Sequence, residues 1–267
     1  MESRNRTVWI VVIAVLVIAC CCVLAAAAGA VGWFANRYAE IGPEPFDLGG
    51  LNRERVEQTF EVGDAPTLQI DNFAGEITVG PSEDGTVRVV ATKKASSQSR
   101  LDRIEVSMTE QDGRVVVKTR NPSLQNVSVD LEIAAPVGSR VNVDTGAGTV
   151  SVRDIAGPID IHSGAGTVDV RGAQGSARVA LGAGQIVYEG APSGDCRFDT
   201  GAGEIILRLP EDPDVRLDLS TGLGAVSVDF SVDGRVSVRS VEGTIGDGSQ
   251  GMIYARTGVG GISVRHR

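Results

Sequence analysis

DTGAGTVSV at Asp144–Val152 returns as HSGAGTVDV at His162–Val170, ALGAGQIVY at Ala180–Tyr188 and DTGAGEIIL at Asp199–Leu207. It returns again as STGLGAVSV at Ser220–Val228 and RTGVGGISV at Arg256–Val264, with a worn copy, VEGTIGDG at Val241–Gly248, between those two. Taking the second glycine of each copy as origin marks Gly148, Gly166, Gly184, Gly203, Gly224, Gly243 and Gly260, at intervals of 18, 18, 19, 21, 19 and 17 residues. A period near twenty with two short β-rich runs per copy is the pattern of a solenoid. The expected fold is all-β: a single-stranded parallel β-solenoid (β-helix) of about 18–21 residues per coil, regular over residues 141–267.

Four columns of apolar residues support this frame. Position −7 holds Val141, Ile159, Ala177, Cys196, Leu217, Val236 and Ile253, and position −5 holds Val143, Ile161, Val179, Phe198, Leu219, Val238 and Ala255. Position +2 is Val or Ile in every copy, and +4 is apolar except for Asp247 in the worn copy, where a bulge or short loop is expected. Residues two apart on a strand share a face, so each coil should turn four side chains inward. One coil cannot bury enough to fold alone and must lean on its neighbours. Cys196 therefore reads as a small buried hydrophobe. The glycines at −2 and 0 bracket the corner between the two strands, where a positive φ or a close backbone approach is expected. The hydroxyls at −3 (Thr145, Ser163, Thr200, Thr221, Ser240 and Thr257) form a ladder that can satisfy polar groups at that corner.

Residues 52–140 read as strands at Val56–Val62, Thr67–Asn72, Glu76–Val79, Thr86–Thr92, Arg103–Met108, Arg114–Thr119 and Val127–Ile133, separated by turn residues. Gly75 and Gly113 fit the same frame, with Leu68, Ile70, Ile77 and Val79 around the first and Val106, Met108, Val115 and Val117 around the second. This part is expected to be a looser opening of the solenoid. A separate small sandwich fits the same alternation.

Val8 to Phe34 carries no charged residue over 27 positions, whereas about 20 suffice to cross a bilayer. Trp9 and Trp33 stand near its two ends, and Arg4 and Arg6 precede it. The expected layout is a cytoplasmic tail (1–7), one transmembrane helix (8–35), a Pro/Gly-rich linker (36–51) and an extracytoplasmic remainder. A removable signal peptide would have a shorter apolar region. Val17-Ile18-Ala19-Cys20 matches a lipidation box, but the residues after it stay apolar. From Tyr38 onward 22 basic residues remain (25 less Arg4, Arg6 and Arg37) against 33 acidic ones (34 less Glu2). Such a surplus of acid argues against nucleic acid as a partner. Cys196 is the one thiol outside the apolar run, so no internal disulfide framework is expected.

Chemistry has to come from the outward positions. Position −4 reads Asp144, His162, Ala180, Asp199, Ser220, Arg239 and Arg256; position −6 reads Asn142, Asp160, Arg178, Arg197, Asp218, Ser237 and Tyr254. Opposite charges alternate down these columns, as solvated cross-strand pairs do. Asp144, Asp160 and Asp199 could form the clustered carboxylates of a polysaccharide hydrolase, with His162 beside Asp144. His162 has no second histidine at zinc-binding spacing, and His266 falls in the terminal Arg265-His-Arg267, expected to be disordered. The corner phrase lacks the aspartate of calcium-binding β-rolls. No cofactor or metal site is expected, and no catalytic residue is assigned.

The repeated phrase, with a lead-in ending DLEIAAPVGSRVNVDTGAGTVSV at Asp130–Val152, resembles the bacterial putative-adhesin family built on the DUF4097 domain of unknown function, over about residues 55–265. The resemblance implies a parallel β-solenoid, frequently behind a single N-terminal membrane helix, in the cell envelope. It supplies no catalytic residues. Some relatives occur beside envelope-stress regulators.

The expected function is a membrane-anchored, non-enzymatic envelope protein presenting a rigid β-surface for adhesion or scaffolding. The alternatives are a regulatory or stress-sensing partner of membrane proteins and, third, a polysaccharide-acting enzyme. Partners are the membrane and possible envelope proteins. Because only three residues follow Val264, the C-terminal coil is expected either to meet a second copy of the chain or to be covered by an earlier segment.

Overall fold

The computed structural model describes residues 52–121 and 125–267. The expected tail, membrane helix and linker lie outside the described residues, within which no helix is long and apolar enough to cross a membrane. The described chain is all-β. The strands are β1 (Asn52–Glu61), β2 (Thr67–Pro81), β3 (Thr86–Ala95), β4 (Glu105–Gln111), β5 (Arg114–Arg120), β6 (Val127–Ala135), β7 (Arg140–Arg153), β8 (Ile159–Ala173) and β9 (Ala177–Gly190). They continue as β10 (Cys196–Leu209), β11 (Val215–Leu223), β12 (Val226–Val228), β13 (Asp233–Val236), β14 (Ser240–Ile245), β15 (Gly251–Val259) and β16 (Ile262–His266). A single turn of helix, α1 (Gln98–Leu101), tucks Leu101 into the core.

The Gly75 corner and the first four copies of the phrase stack in parallel with matching positions aligned. Gly75 pairs with Gly148, Gly148 with Gly166, Gly166 with Gly184, and Gly184 with Gly203. The inward columns are buried as their period requires: Val141, Val143, Val150 and Val152 in β7 have counterparts in β8, β9 and β10, all inside one continuous core. That core also takes in Val87, Val89, Leu131 and Ile133 from the lead-in, so residues 52–140 are not a separate sandwich.

Beyond β10 the order in space departs from the order in sequence. The neighbour of β10 is the last copy, not the next one: Cys196 pairs with Ile253 and Phe198 with Ala255, while Ile205 pairs with Ile262. The fifth copy then stacks on the last, Leu217 on Ile253 and Val226 on Ile262. The C-terminal coil is thus enclosed between β10 and β11, and no longer needs an external cover. His266 lies at the end of β16 with its ring 4.1 Å from that of Phe230, so the terminal residues are ordered rather than disordered as expected.

The worn copy leaves the stack. β14 runs antiparallel to β11, with Leu219 opposite Val241, and β13 returns antiparallel along β14. Val236 and Val238, expected to point inward, are 65% and 73% exposed. The cause is the −2 position. In the stacked copies a Cβ at −2 would meet the carbonyl oxygen of the preceding coil at 2.4–2.6 Å: Gly146 against Phe73, Gly164 against Gly146, Gly182 against Gly164, Gly201 against Gly182, Gly258 against Gly201 and Gly222 against Gly258. The worn copy carries Val241 there and cannot stack in parallel. Asp247 falls in the turn after β14 and caps it by accepting a hydrogen bond from the Ser249 amide at 2.9 Å.

The lead-in closes the other end with antiparallel strands. β6 continues the second half of β2 (Ile77 beside Leu131) and is followed outward by β3 and β1. β5 continues the first half, Leu68 beside Val115, with β4 folded back on it. Gly113 is therefore not a coil corner, as its frame suggested. Asp112 and Gly113 have φ of 53° and 72°, the pair of positive values that a two-residue hairpin turn requires. The sheet is mixed: a parallel solenoid-like stack with antiparallel strands at both ends.

Candidate functional site

Along one corner of the stack runs an open groove of about 720 Å³, and its shape follows from the sequence. The −2 positions of four consecutive coils (Gly146, Gly164, Gly182 and Gly201) have no side chains, so they form a floor of bare backbone. Position −4 supplies one wall: Asp71, Asp144, His162, Ala180 and Asp199. Phe73, at the −2 position of the first coil, stands at one end of the floor. It can carry a ring because the layer before β2 is split between β5 and β6 and gives Phe73 no register partner, and its amide is taken up by the Thr119 hydroxyl at 3.3 Å.

The corner hydroxyls behave in two ways. Thr221 and Thr257 donate to Gly260 and Gly203 carbonyls at 2.9 and 3.2 Å, and Ser163 donates to Ala165 at 3.4 Å. Those of Thr145 and Thr200 are buried and have no hydrogen-bond partner among the described residues. The hydroxyl ladder therefore satisfies the corner only in part.

Of the three carboxylates singled out in sequence, two share one partner and the third has its own. His162 Nδ1 lies 3.6 Å from Asp160 Oδ1 and 3.8 Å from Asp144 Oδ1, so two of them flank one imidazole. Asp199 is held by Arg197 through Nε at 2.6 Å and Nη2 at 3.3 Å. Asp160 also faces Arg178 at 3.7 Å. Further along the outward columns, Asp218 meets Arg256 at 3.4 Å, and Glu189 meets Arg208 at 3.8 Å and Arg267 at 3.2 Å. Asp144–His162, Asp160–Arg178, Asp218–Arg256 and Glu189–Arg208 run between neighbouring strands, as the alternating columns suggested, whereas Arg197–Asp199 and Asp160–His162 lie within one strand; on an exposed face each contributes only about 0–1 kcal/mol. Around His162 they form a charged wall, with no nucleophile placed against the imidazole among the described residues.

Cys196 is fully buried, and burial pushes its thiol above the ordinary value. The same burial raises the Tyr188 phenol, whose ring lies 5.0 Å from that of Phe198. The thiol is core filling, as its column predicted. What sequence reasoning missed was the groove itself. Its signal was present in the unbroken −2 glycines, which were read only as corner residues and not as missing side chains.

A stack of parallel coils with an open, polar-walled groove defines a solenoid-like β-protein with a surface suited to binding. The pattern of the Toastrack DUF4097 family matches residues 66–264, and the chain belongs to that family. No curated protein matches it in sequence. Among solved structures it is similar to a putative cell adhesion protein from Clostridium sporogenes (13% identity, TM-score 0.49, covering 81% of this chain and 100% of that one). It is also similar to a putative adhesin from Bacteroides fragilis (13%, TM-score 0.38, 80% and 97%) and to a putative lipid binding protein from Parabacteroides distasonis (10%, TM-score 0.34, 82% and 98%).

Proposed function

We propose that this protein is a non-enzymatic binding protein of the bacterial cell envelope. In this reading residues 8–35 anchor it in the membrane, the N-terminus is cytoplasmic, and the β-domain outside presents the corner groove to an extended partner. The observation that carries the reading is the glycine floor: a groove that runs unobstructed across four coils suits a chain-like ligand lying along the stack. Its wall offers acidic groups at Asp71 and Asp144, and the end of its floor an apolar contact at Phe73, the mixture that serves specific but reversible binding.

Ala180 stands half-buried in the middle of the wall, so Ala180→Trp should fill the groove without entering the core. Full-length wild-type protein is expected to be retained on immobilised cell-envelope polysaccharide, and the variant to wash through. Equal retention of both, or of neither, would refute the groove as the binding surface. Protease added to intact cells should digest the β-domain. Protection until the cells are broken would place it on the other side of the membrane.

A further inference from the structure

The end of the stack beyond β11 differs from the end at β1. The exposed side chains of β1 are polar or charged (Arg53, Glu54, Arg55, Glu57, Glu61), which discourages edge pairing. At the far end the displaced Val236 and Val238 are exposed instead, at 65% and 73%. The Val238 carbonyl accepts from the Val226 amide at 2.8 Å, which sets the displaced segment against the fifth copy at this end of the stack. β13 is the last strand of the sheet there, with no strand beyond it among the described residues.

The sequence of this edge is self-complementary. In an antiparallel pairing of β13 with a second β13 about a two-fold axis at Gly234, Asp233 of each copy stands opposite Arg235 of the other. One step outward, Val232 stands opposite Val236. Val232 already packs against the core, whereas Val236 overhangs it. The pairing would therefore cover the overhanging valine with an apolar neighbour and extend the sheet. Arg235 contacts Glu242 at 3.8 Å and is 91% exposed, leaving most of its guanidinium for a partner. Opposite charges directly across a strand pair favour it, and like charges oppose it.

We infer that β13 is a homodimerisation edge, and that its occupant is the β13 strand of a second copy of this chain, in a closed two-fold arrangement. This inference is independent of the groove, which lies along β2 and β7–β10.

The test is a charge exchange in the full-length chain, with two differently tagged copies co-expressed in membranes and one recovered through the other. Wild type should capture itself. Asp233→Arg sets two arginines against two arginines, and Arg235→Asp sets two aspartates against two aspartates. Each alone should lose at least tenfold in self-capture, while the mixed pair should recover the wild-type level, because each Arg then faces an Asp. Both side chains are exposed, so unchanged thermal unfolding will confirm that folding is intact. Absence of wild-type self-capture, like-charge pairs that associate as well as wild type, or a mixed pair no better than the like pairs would each overturn the assignment.

Discussion

A Cβ placed on Gly146 would stand 2.5 Å from the carbonyl oxygen of Phe73, although Phe73 occupies the same position one coil earlier and carries a full aromatic ring. The difference is whether the layer beneath is continuous at the corner: Gly146 has β2 under it, whereas Phe73 stands over the gap between β5 and β6. This relationship repeats through the stack and sets which residues may occupy its corner.

Gly164→Ala tests it. The added Cβ would meet the Gly146 carbonyl at 2.4 Å, and backbone on both sides is fixed by ladder bonds to neighbouring coils. The expected loss is about 3 kcal/mol, the upper end of the range for overpacking, seen as a lower denaturation midpoint with an unchanged slope. Phe73→Ala, which removes a half-buried ring from an end position, should cost about 1–2 kcal/mol through lost burial alone.

The repeat and its inward columns could be read directly from the sequence, because period-2 burial is local: Val150, Ile161 and Leu207 needed only their own strand to be placed. The order of the coils could not. Copies with the same phrase can pair in register with any other copy, so Gly203 could have faced Gly224 or Gly260. Period alone puts the worn copy in the stack and turns Val236 and Val238 inward. Val241 at −2 was the contrary sign, legible only once the −2 glycines are seen pressed against carbonyls. Gly113 carries a related ambiguity, since a hairpin turn and a coil corner both place a glycine between alternating strands. The groove also needed the structure, because a missing side chain becomes a site only when its neighbours in space are known.

The inserted position of the last coil predicts which cysteines can be joined. Arg197 and Tyr254 are register partners on adjacent strands, whereas Asp218, the corresponding residue of the next copy in sequence, lies one strand further away. With Cys196 replaced by valine, Arg197→Cys with Tyr254→Cys should form a disulfide under mild oxidation, and Arg197→Cys with Asp218→Cys should not. Mass spectrometry of the cross-linked peptides reads the result. The reverse outcome would restore sequential stacking.

The buried thiol and phenol give an alkaline limb to stability. Both groups are raised in the folded protein, mainly by burial. The unfolded chain therefore loses protons first, from near the ordinary values of 9.0 for the thiol and 10.0 for the phenol. Their contribution is complete below pH 9 and is lost as pH rises above it. Urea midpoints measured from pH 7 to 10.5 should fall for wild type. The decline should be shallower for Cys196→Ala at pH 9–10 and for Tyr188→Phe above pH 10, even though each variant starts from a lower stability. The native thiol should also resist alkylation at pH 8 until the protein is unfolded.

The joint between the lead-in and the stack rests on one buried polar network. The Thr119 hydroxyl donates to Asn72 Oδ1 at 2.6 Å and accepts from the Phe73 amide at 3.3 Å, while Asn72 Nδ2 donates to the Val129 carbonyl at 2.9 Å. Three strands, β2, β5 and β6, meet through these two side chains, both almost fully buried. Thr119→Val keeps the volume but leaves Asn72 Oδ1 without its donor and the Phe73 amide without its acceptor. An unmet buried polar group costs about 1–3 kcal/mol, so the variant should lose about 2–4 kcal/mol. Asn72→Ala should lose a similar amount by exposing the Val129 carbonyl and the Thr119 hydroxyl to the same deficit. The double variant should lose clearly less than the two losses combined, because each change removes a partner the other still required. Strict additivity in urea unfolding would show that the two residues act separately and that packing alone holds the joint.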